Sequence, residues 1–349
     1  MSKLTWIDQT LNAAVRRQFT SDQLAEVASL LSRLGIGQAG ICMVDWQRYR
    51  PDLSGAQQYL ELCGMLDISV CELEWVEQAG IKHVVVSASV ACQADFTVKL
   101  EAVIAEAGRR GLQVTLLLED FASLAVPELL AVVPKISSYP VAAVIYGDKA
   151  GTGHSFTTFD QITALNNSLN CPVGIQAGNA YGLATGNTLA AMKAGVRLVV
   201  TAVAGIDGFA PWEEALMVAK QLAGMDVEIP PNLAAGCQQV LSALRLTIPE
   251  NKAIIGPAIF SHESGLHVDG VNKDPWLYEP FAPELVGLSR QLIIGKHSGT
   301  TALKTKFAAW GIRLEDAETR RLLANVRALA VRQKTAISDD ELRRLYLSS

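Results

Sequence analysis

No run of about 18 consecutive apolar residues occurs in the chain, so a membrane-spanning helix is not expected. The opening residues, Met1-Ser-Lys-Leu-Thr-Trp6, lack the charged-then-apolar pattern of a secretory leader. No block of five or six basic residues is present, charged residues make up 19% of the chain and the formal net charge is −5. Nucleic acid and anionic membrane surfaces are therefore poor partners. There is no Cys-x-x-Cys pair. The six cysteines, Cys42, Cys63, Cys71, Cys92, Cys171 and Cys237, read as reduced thiols, several of them on strands, in a cytoplasmic protein. Self-similarity at the period of a repeat protein is also missing, beyond a strand–helix rhythm.

That rhythm carries the information. Half of the 349 residues are apolar, enough to bury a large core, and the length suits a barrel of about 250 residues with an appendage. Short β-rich runs alternate with amphipathic helical ones, which argues a parallel sheet covered by helices. Eight strand candidates stand out: Leu4–Leu11, Gly40–Asp45, Ile68–Leu73, His83–Ser89, Gln113–Asp120, Val141–Gly147, Val173–Ala177 and Val196–Ala204. Their nearly continuous apolar character suits strands covered on both faces. Helices are expected at Ser21–Leu34, capped by Thr20 or Ser21, at Phe96–Gly111 and at Ala184–Gly195. Gly80 and Gly111 mark turns that lead into strands. The expected fold is α/β, a (β/α)8 TIM barrel over residues 1–228, its last helix containing Met217–Leu222. The Glu228-Ile-Pro-Pro boundary is followed by a lid and helical dimerisation region over residues 229–349.

Gly35-Ile-Gly-Gln-Ala-Gly40 matches G-x-G-x-x-G, but a helix precedes it and a strand follows, the reverse of a dinucleotide fingerprint; it reads as a helix-to-strand loop. A denser signal lies further on. His262-Glu-Ser-Gly-Leu-His267-Val-Asp-Gly is followed by Asp274-Pro-Trp-Leu-Tyr278-Glu-Pro and by Gly295-Lys-His297-Ser-Gly299. On residue types alone, two histidines five apart are a weak metal signal, because a helical face favours a spacing of four. His267 and Tyr278 could act as an acid–base pair.

This run, with Pro283-Glu-Leu-Val-Gly287 after it, resembles the lid region of the homocitrate synthase and isopropylmalate synthase family, and looks like the nitrogen-fixation branch of the homocitrate synthases in particular. Fainter likeness extends over nearly the whole chain, through Tyr146-Gly-Asp148, Asn179, Gly182-Leu-Ala and Asn187-Thr-Leu-Ala-Ala-Met-Lys-Ala-Gly195. The resemblance implies a Claisen condensation of acetyl-CoA with a 2-oxo acid. A divalent metal would polarise the keto group, and a neighbouring arginine would stabilise the oxyanion. It implies a homodimer with exchanged lids, and assigns proton transfer to His267 and Tyr278.

At the barrel end the pattern departs from the family. The strand-1 signature D-x-T-L-R-D-G reads Asp8-Gln-Thr-Leu-Asn12-Ala13-Ala14, with Asn12 at the arginine position and Ala13 at the metal-ligand position. The loop that follows is shortened, which leaves Arg16 and Arg17 as the nearest arginines, neither of them assigned to the site. The family's H-x-H-N-D reads Gln176-Ala-Gly178-Asn179-Ala180, and its strand-2 glutamate falls near Gly40. Its late glycine-rich stretch is compressed to Gly205-Ile-Asp-Gly-Phe-Ala-Pro211. Alanine and glycine side chains offer a hard cation no donor. No family-type metal site and no resident cofactor are expected; acetyl-CoA enters only as a co-substrate if acyl transfer is retained.

Where the family has A-D-T after strand 6, this chain has Gly147-Asp148-Lys149. A lysine at the C-terminal end of a barrel strand faces the mouth. Desolvated, it can form a Schiff base; otherwise it fills the vacated metal space, paired with Asp148, Glu119 or Asp120. The expected catalytic residues are Lys149, His267 and Tyr278, and the expected substrate contacts are Asn12, Asp45, Glu119, Asp148, Gln176, Asn179 and His297. His83 and His154 read as structural. Three functions stay open. One is a homologue that binds a small carboxylate or 2-oxo acid without the ordinary activity. Another is a metal-independent C–C lyase or condensing enzyme working through Lys149. The third is a working acetyl-CoA-dependent acyltransferase. The leucine-sensing C-terminal domain of isopropylmalate synthases is not expected.

Overall fold

Runs such as His83-Val-Val-Val-Ser-Ala-Ser89 are rich in β-branched residues that fit a pleated, covered surface, and they form the staves of a closed barrel. The structure is a computed structural model and describes residues 4–89, 94–263 and 279–348. The strands are β1 (Thr5–Asp8), β2 (Gln38–Cys42), β3 (Glu61–Leu66), β4 (His83–Ser89), β5 (Gln113–Glu119), β6 (Ala143–Asp148), β7 (Val173–Ala177) and β8 (Leu198–Ala202). Each pairs in parallel with the next, and β1 closes on β8 in the register Thr5↔Leu198 to Asp8↔Thr201. A two-residue strand, β9 (Ala210–Pro211), extends β8. The expected TIM barrel is therefore the observed fold.

Seven of the eight expected strands overlap observed ones; the third does not. Ile68–Leu73 alternates like a strand, yet Val70–Gln78 is a helix that buries Leu73 and Val76. The strand lies earlier, at Glu61–Leu66, paired with β2 from Gln38↔Glu61 to Cys42↔Met65. The apolar run Leu62-Cys-Gly-Met-Leu66 carries it, and neighbouring strands on both sides outweigh the local alternation of the following segment.

Of the first three helices, only the second was expected, and it carries the expected start signal. α1 (Thr10–Arg16) follows β1 directly. α2 (Ser21–Arg33) opens with a capping box in which Thr20 and Gln23 satisfy each other's backbone N–H groups. Its C-terminus turns at Gly35, with φ at +84°, into β2, so Gly35–Gly40 runs from helix to strand, the order its sequence predicts, with Gln38–Gly40 already in β2. α3 (Met43–Tyr49) begins one residue after β2.

Strand alternation decides what faces inward. Ile7, Cys63, Val85, Leu117, Ile145 and Val200 pack together as one apolar layer inside the barrel. Two residues further along their strands stand Gln9, Met65, Ser87, Glu119 and Gly147, and all but Gly147 line the cavity at the C-terminal mouth. Residues of the opposite parity, Asp8, Asp148 and Thr201 among them, point toward the helices.

The chain divides into compact units at Ile248/Pro249 rather than near residue 228, because Leu233–Ala243 is a helix that packs on α2 and belongs with the barrel. Taken by itself, the second unit gathers Leu303, Phe307, Leu322, Val326 and Leu342 into a core. Its helices are Thr300–Ala309, Asp316–Gln333 and Asp339–Leu347. The last is capped by Ser338, whose Oγ accepts the Glu341 N–H at 3.3 Å. No helix among the described residues is long and apolar enough to cross a membrane.

Candidate active site

Parallel barrels gather their chemistry at the C-terminal ends of the strands, and there the described residues enclose a cavity of ≈ 240 Å³. Its polar lining includes Gln9, Asn12 and Arg16 after β1, Asp67 after β3, Ser87 on β4, Glu119 on β5, Lys149 after β6, Gln176 on β7 and Asp207 after β8. Gln9 and Gln176 are only 5% and 6% exposed. Gln9 Nε2 and Gln176 Oε1 are both buried without a hydrogen-bond partner. Leaving such groups unpaired costs about 1–3 kcal/mol each. Both residues line the same cavity, and each has one unpaired amide atom buried beneath its surface.

Asn12 sits on α1 and is 4% exposed. Its Oδ1 accepts the Cys42 N–H at 2.9 Å and its Nδ2 donates to Asp45 Oδ2 at 3.2 Å. It lines the cavity, but both ends of its amide are engaged: it braces the β1 and β2 ends. Asp45 is not among the lining residues. It receives Arg16 Nε at 2.6 Å, while Arg16 Nη1 donates to Asp207 Oδ2 at 3.1 Å. Partial burial works against the Arg16 charge, but the hydrogen bond and charge of Asp45, with Asp207, hold its pKa above the ordinary value. The result is a polar strap across the ends of β2, β1 and β8. Asp207 lies in a tight loop where Ala204, Gly205, Asp207 and Gly208 have φ of 57°, 75°, 56° and 82°. The loop is anchored by Val203 N–H donating to Thr10 Oγ1 and Ala204 N–H donating to Glu213 Oε2, both at 2.8 Å.

Asp148 does not reach the cavity. Its parity turns it away, and its two carboxylate oxygens accept the N–H groups of Thr152 and Gly153 at 3.0 Å each, so it shapes the loop after β6. Asn179 is likewise outside the lining; its Oδ1 accepts the Ala184 N–H at 3.2 Å and steadies the start of the helix Ala184–Lys193. Lys149 does border the cavity, with Nζ 4.0 Å from Glu119 Oε1, and is 73% exposed against 23% for Glu119. His297 belongs to the second unit, where it is exposed and its backbone N–H donates to Glu263 Oε1 at 2.7 Å. His267 and Tyr278 lie outside the described residues. His83 and His154 are structural as expected: His83 is buried between Cys63 and Thr115, and His154 Nδ1 accepts the Thr157 N–H at the start of the helix Ser155–Ser168.

Gln9, Arg16, Asp67, Ser87 and Asp207 were not among the expected site residues. A stricter use of period two would have found Gln9 and Ser87, two residues beyond Ile7 and Val85. Nothing local marks Asp207, which reaches Arg16 only because β8 closes on β1.

At the positions where the resemblance would seat a divalent cation stand Ala13, Gln176 and Gly178, with Gly40 near that of the strand-2 glutamate. Ala13 is fully buried and has no donor atom. A Cβ on Gly178 would lie 2.5 Å from the Asp148 carbonyl oxygen and 2.6 Å from that of Lys149, so backbone already occupies the space a ligating side chain needs. A Cβ on Gly40 would meet Gln9 Nε2 at 2.1 Å; the glutamine leans into the place a strand-2 side chain would take. Among the described residues no group of three His, Cys, Asp or Glu side chains converges to hold a metal ion.

Outside the cavity, Asp8 is fully buried at the end of β1. Burial raises its pKa to about 7, with Thr10 hydrogen bonds lowering it and the Glu213 charge raising it further. Its Oδ1 accepts the Thr10 N–H at 2.8 Å while Oδ2 has no hydrogen-bond partner.

The comparisons with known proteins agree with the barrel and with the second unit. The HMGL-like family model matches residues 3–234, and the model described as homocitrate synthase post-HMGL domain-like matches residues 254–334. Homocitrate synthase 1 of a Nostoc species is 39% identical over 202 residues, 57% of this chain and 54% of its own length. 2-Isopropylmalate synthase 2 of Caldanaerobacter subterraneus is 38% identical over 57% of this chain and 53% of its own. The homocitrate synthase of a Frankia species is 32% identical over 67% and 58%. The chain thus spans somewhat more than half the length of these relatives. In fold it resembles hydroxymethylglutaryl-CoA lyase from Pseudomonas aeruginosa, with a TM-score of 0.60 at 15% identity over 74% of this chain and 97% of that one. Since the HMGL-like model spans most of the sequence, barrel strands included, the chain belongs to the HMGL-like family, within its homocitrate and isopropylmalate synthase group.

Proposed function

We propose that the barrel mouth binds a small carboxylic acid of the 2-oxo class without a divalent cation, and that the chain does not perform the metal-dependent acyl transfer that the resemblance implies. One observation carries this reading. Gln9 Nε2 and Gln176 Oε1 stand unpaired and buried on a cavity that Arg16 also lines. Unpaired buried polar groups persist where a ligand completes them. The charges are laid out unevenly. Arg16, with its partner Asp207, and the two amides occupy the β7, β8 and β1 side, whereas Asp67 and Glu119 lie beyond β3 and β5, with Lys149 beside Glu119. A small acid is placed with its carboxylate toward β1, where the Arg16 guanidinium has N–H donors beyond those given to Asp45 and Asp207. A homodimer with exchanged lids and a cytoplasmic location belong to the same reading.

Calorimetric titration with a series of 2-oxo acids, in EDTA and again with Mg²⁺ or Mn²⁺, tests it. Binding that EDTA leaves unchanged, with no thiol released from acetyl-CoA, is the expected result. Chelator-sensitive thiol release would restore the ordinary acyltransferase and overturn the proposal.

A second reading keeps Lys149 as a Schiff-base lysine, supported by its place on the cavity beside Glu119. Its high exposure counts against it, since a reactive lysine is made by desolvation. Borohydride reduction in the presence of a 2-oxo acid, followed by peptide mass spectrometry, separates the two: an adduct on Lys149 favours the lyase.

A further inference from the structure

Resting on the binding reading above, we propose that Arg16 is the residue that recognises the ligand's carboxylate. Asp45 and Asp207 then act as positioning residues that hold its guanidinium at the cavity edge.

Arg16 follows Asn12 by one helical turn, so the two share a face of α1, and both line the cavity. A free surface arginine samples many rotamers; this one is held from two sides. Nε is taken by Asp45, from the segment after β2, and Nη1 by Asp207, from the loop after β8. Nη2 makes no hydrogen bond among the described residues. The guanidinium is planar with five fixed donors, so pinning Nε and Nη1 also sets where the remaining donors aim.

The backbone supports the same assignment. Asp207 is a non-glycine residue at φ 56°, and Ala204 is another at 57°, within one short loop. Such conformations cost free energy and persist where the surroundings over-determine them. Here the strained loop places the Asp207 carboxylate against Arg16. Lys149, the other cation on the cavity, is a weaker candidate. It is more exposed, 73% against 48% for the Arg16 side chain, and its nearest acid is 4.0 Å away. A fork held by two carboxylates is suited to a planar carboxylate; a loosely placed ammonium is not.

The test uses the full chain in EDTA with two probes that differ only in the group Arg16 would read, pyruvate and its amide, titrated calorimetrically against wild type, R16Q, R16K and D207N. Wild type is expected to prefer the acid. R16Q should weaken pyruvate by about tenfold or more and leave the amide unchanged, collapsing the preference. R16K should recover only part of it, because a point charge does not reproduce the fork. D207N should lose less than R16Q, since it acts through Arg16. Melting curves report folding, and if R16Q does not fold, R16K and D207N carry the test.

An unchanged acid-to-amide ratio in these variants, or equal loss of both probes, overturns the assignment of Arg16 while leaving the cavity as a binding site. Full rescue by lysine overturns the role of the fork. Failure of the wild type to bind either probe overturns the proposed function, and this inference with it.

Discussion

The two ends of the barrel interior treat their polar residues in opposite ways. Near the N-terminal ends of the strands, Cys63 Sγ lies 3.1 Å from His83 Nδ1, and His83 Nε2 lies 2.9 Å from Thr115 Oγ1. Burial, with the Glu61 charge adding to it, pushes the Cys63 thiol up to about 12, and burial lowers His83. The thiol and the imidazole are therefore both uncharged, and one ring nitrogen donates while the other accepts. Every member of this row is paired and neutral. At the mouth, by contrast, Gln9 and Gln176 are as deeply buried and each leaves an amide atom unpaired. One end is finished and contributes stability. The other keeps buried amide atoms without partners, the feature on which the proposed binding rests.

The largest expected effect comes from a group that belongs to neither end. Asp8 is fully buried with a folded pKa of about 7, well above the ordinary carboxylate value of about 4. The folded state holds this proton more tightly than the unfolded chain. Its contribution is therefore fully present below about pH 4 and is lost as the pH rises toward 7. D8N should remove that slope and leave the variant the more stable at neutral pH, by an amount on the order of a few kcal/mol, read from urea melts at pH 5 and pH 8. A wild-type stability that does not fall across this window would place Asp8 in a better-paired environment than its unpartnered Oδ2 implies.

Next is Gly178. Its Cβ would strike the backbone carbonyls of Asp148 and Lys149, so G178A should cost about 1–3 kcal/mol. G40A should cost less, because the atom it meets is the far end of the flexible Gln9 side chain. Denaturant midpoints for the two variants measure this directly, and equal costs would mean that the loop after β6 yields as readily as a side chain.

The contrast between the two ends predicts opposite signs for two similar substitutions, each worth about 1 kcal/mol. T115V strands the buried His83 Nε2 and should destabilise the fold. Q176L removes an unpaired buried polar atom, so it should be neutral or stabilising and should abolish binding of the acid. If both variants destabilise equally, Gln176 is part of the structural framework and the division between a finished and an open end fails.

Much of the barrel was legible because it depends on local chemistry. Strands such as His83–Ser89 and Val173–Ala177 coincide with their apolar runs, and Thr20 caps the helix it was expected to cap. The missed third strand shows the limit: Ile68–Leu73 alternates convincingly, but a strand is chosen by its neighbours, and β2 and β4 select Glu61–Leu66. At the site, Glu119 was legible from its place at a strand end and Gln176 from the resemblance, where it stands at the first histidine of H-x-H. Asp148 and Lys149 are adjacent in sequence and face opposite ways, so which of them borders the cavity follows from barrel parity rather than from residue type.

The amino-acid sequence by itself determined the alternation of strand and helix, the turns that need glycine, and the absence of donor atoms at Ala13 and Gly178. These are properties of single residues and their near neighbours. Only the tertiary structure decided that Gln9 leans over Gly40, and that Arg16 is pinned between residues 29 and 191 positions away in the chain. Closing the barrel brings the ends of β2, β1 and β8 side by side, and a hydrogen bond acts over ångströms, whatever length of chain separates its partners.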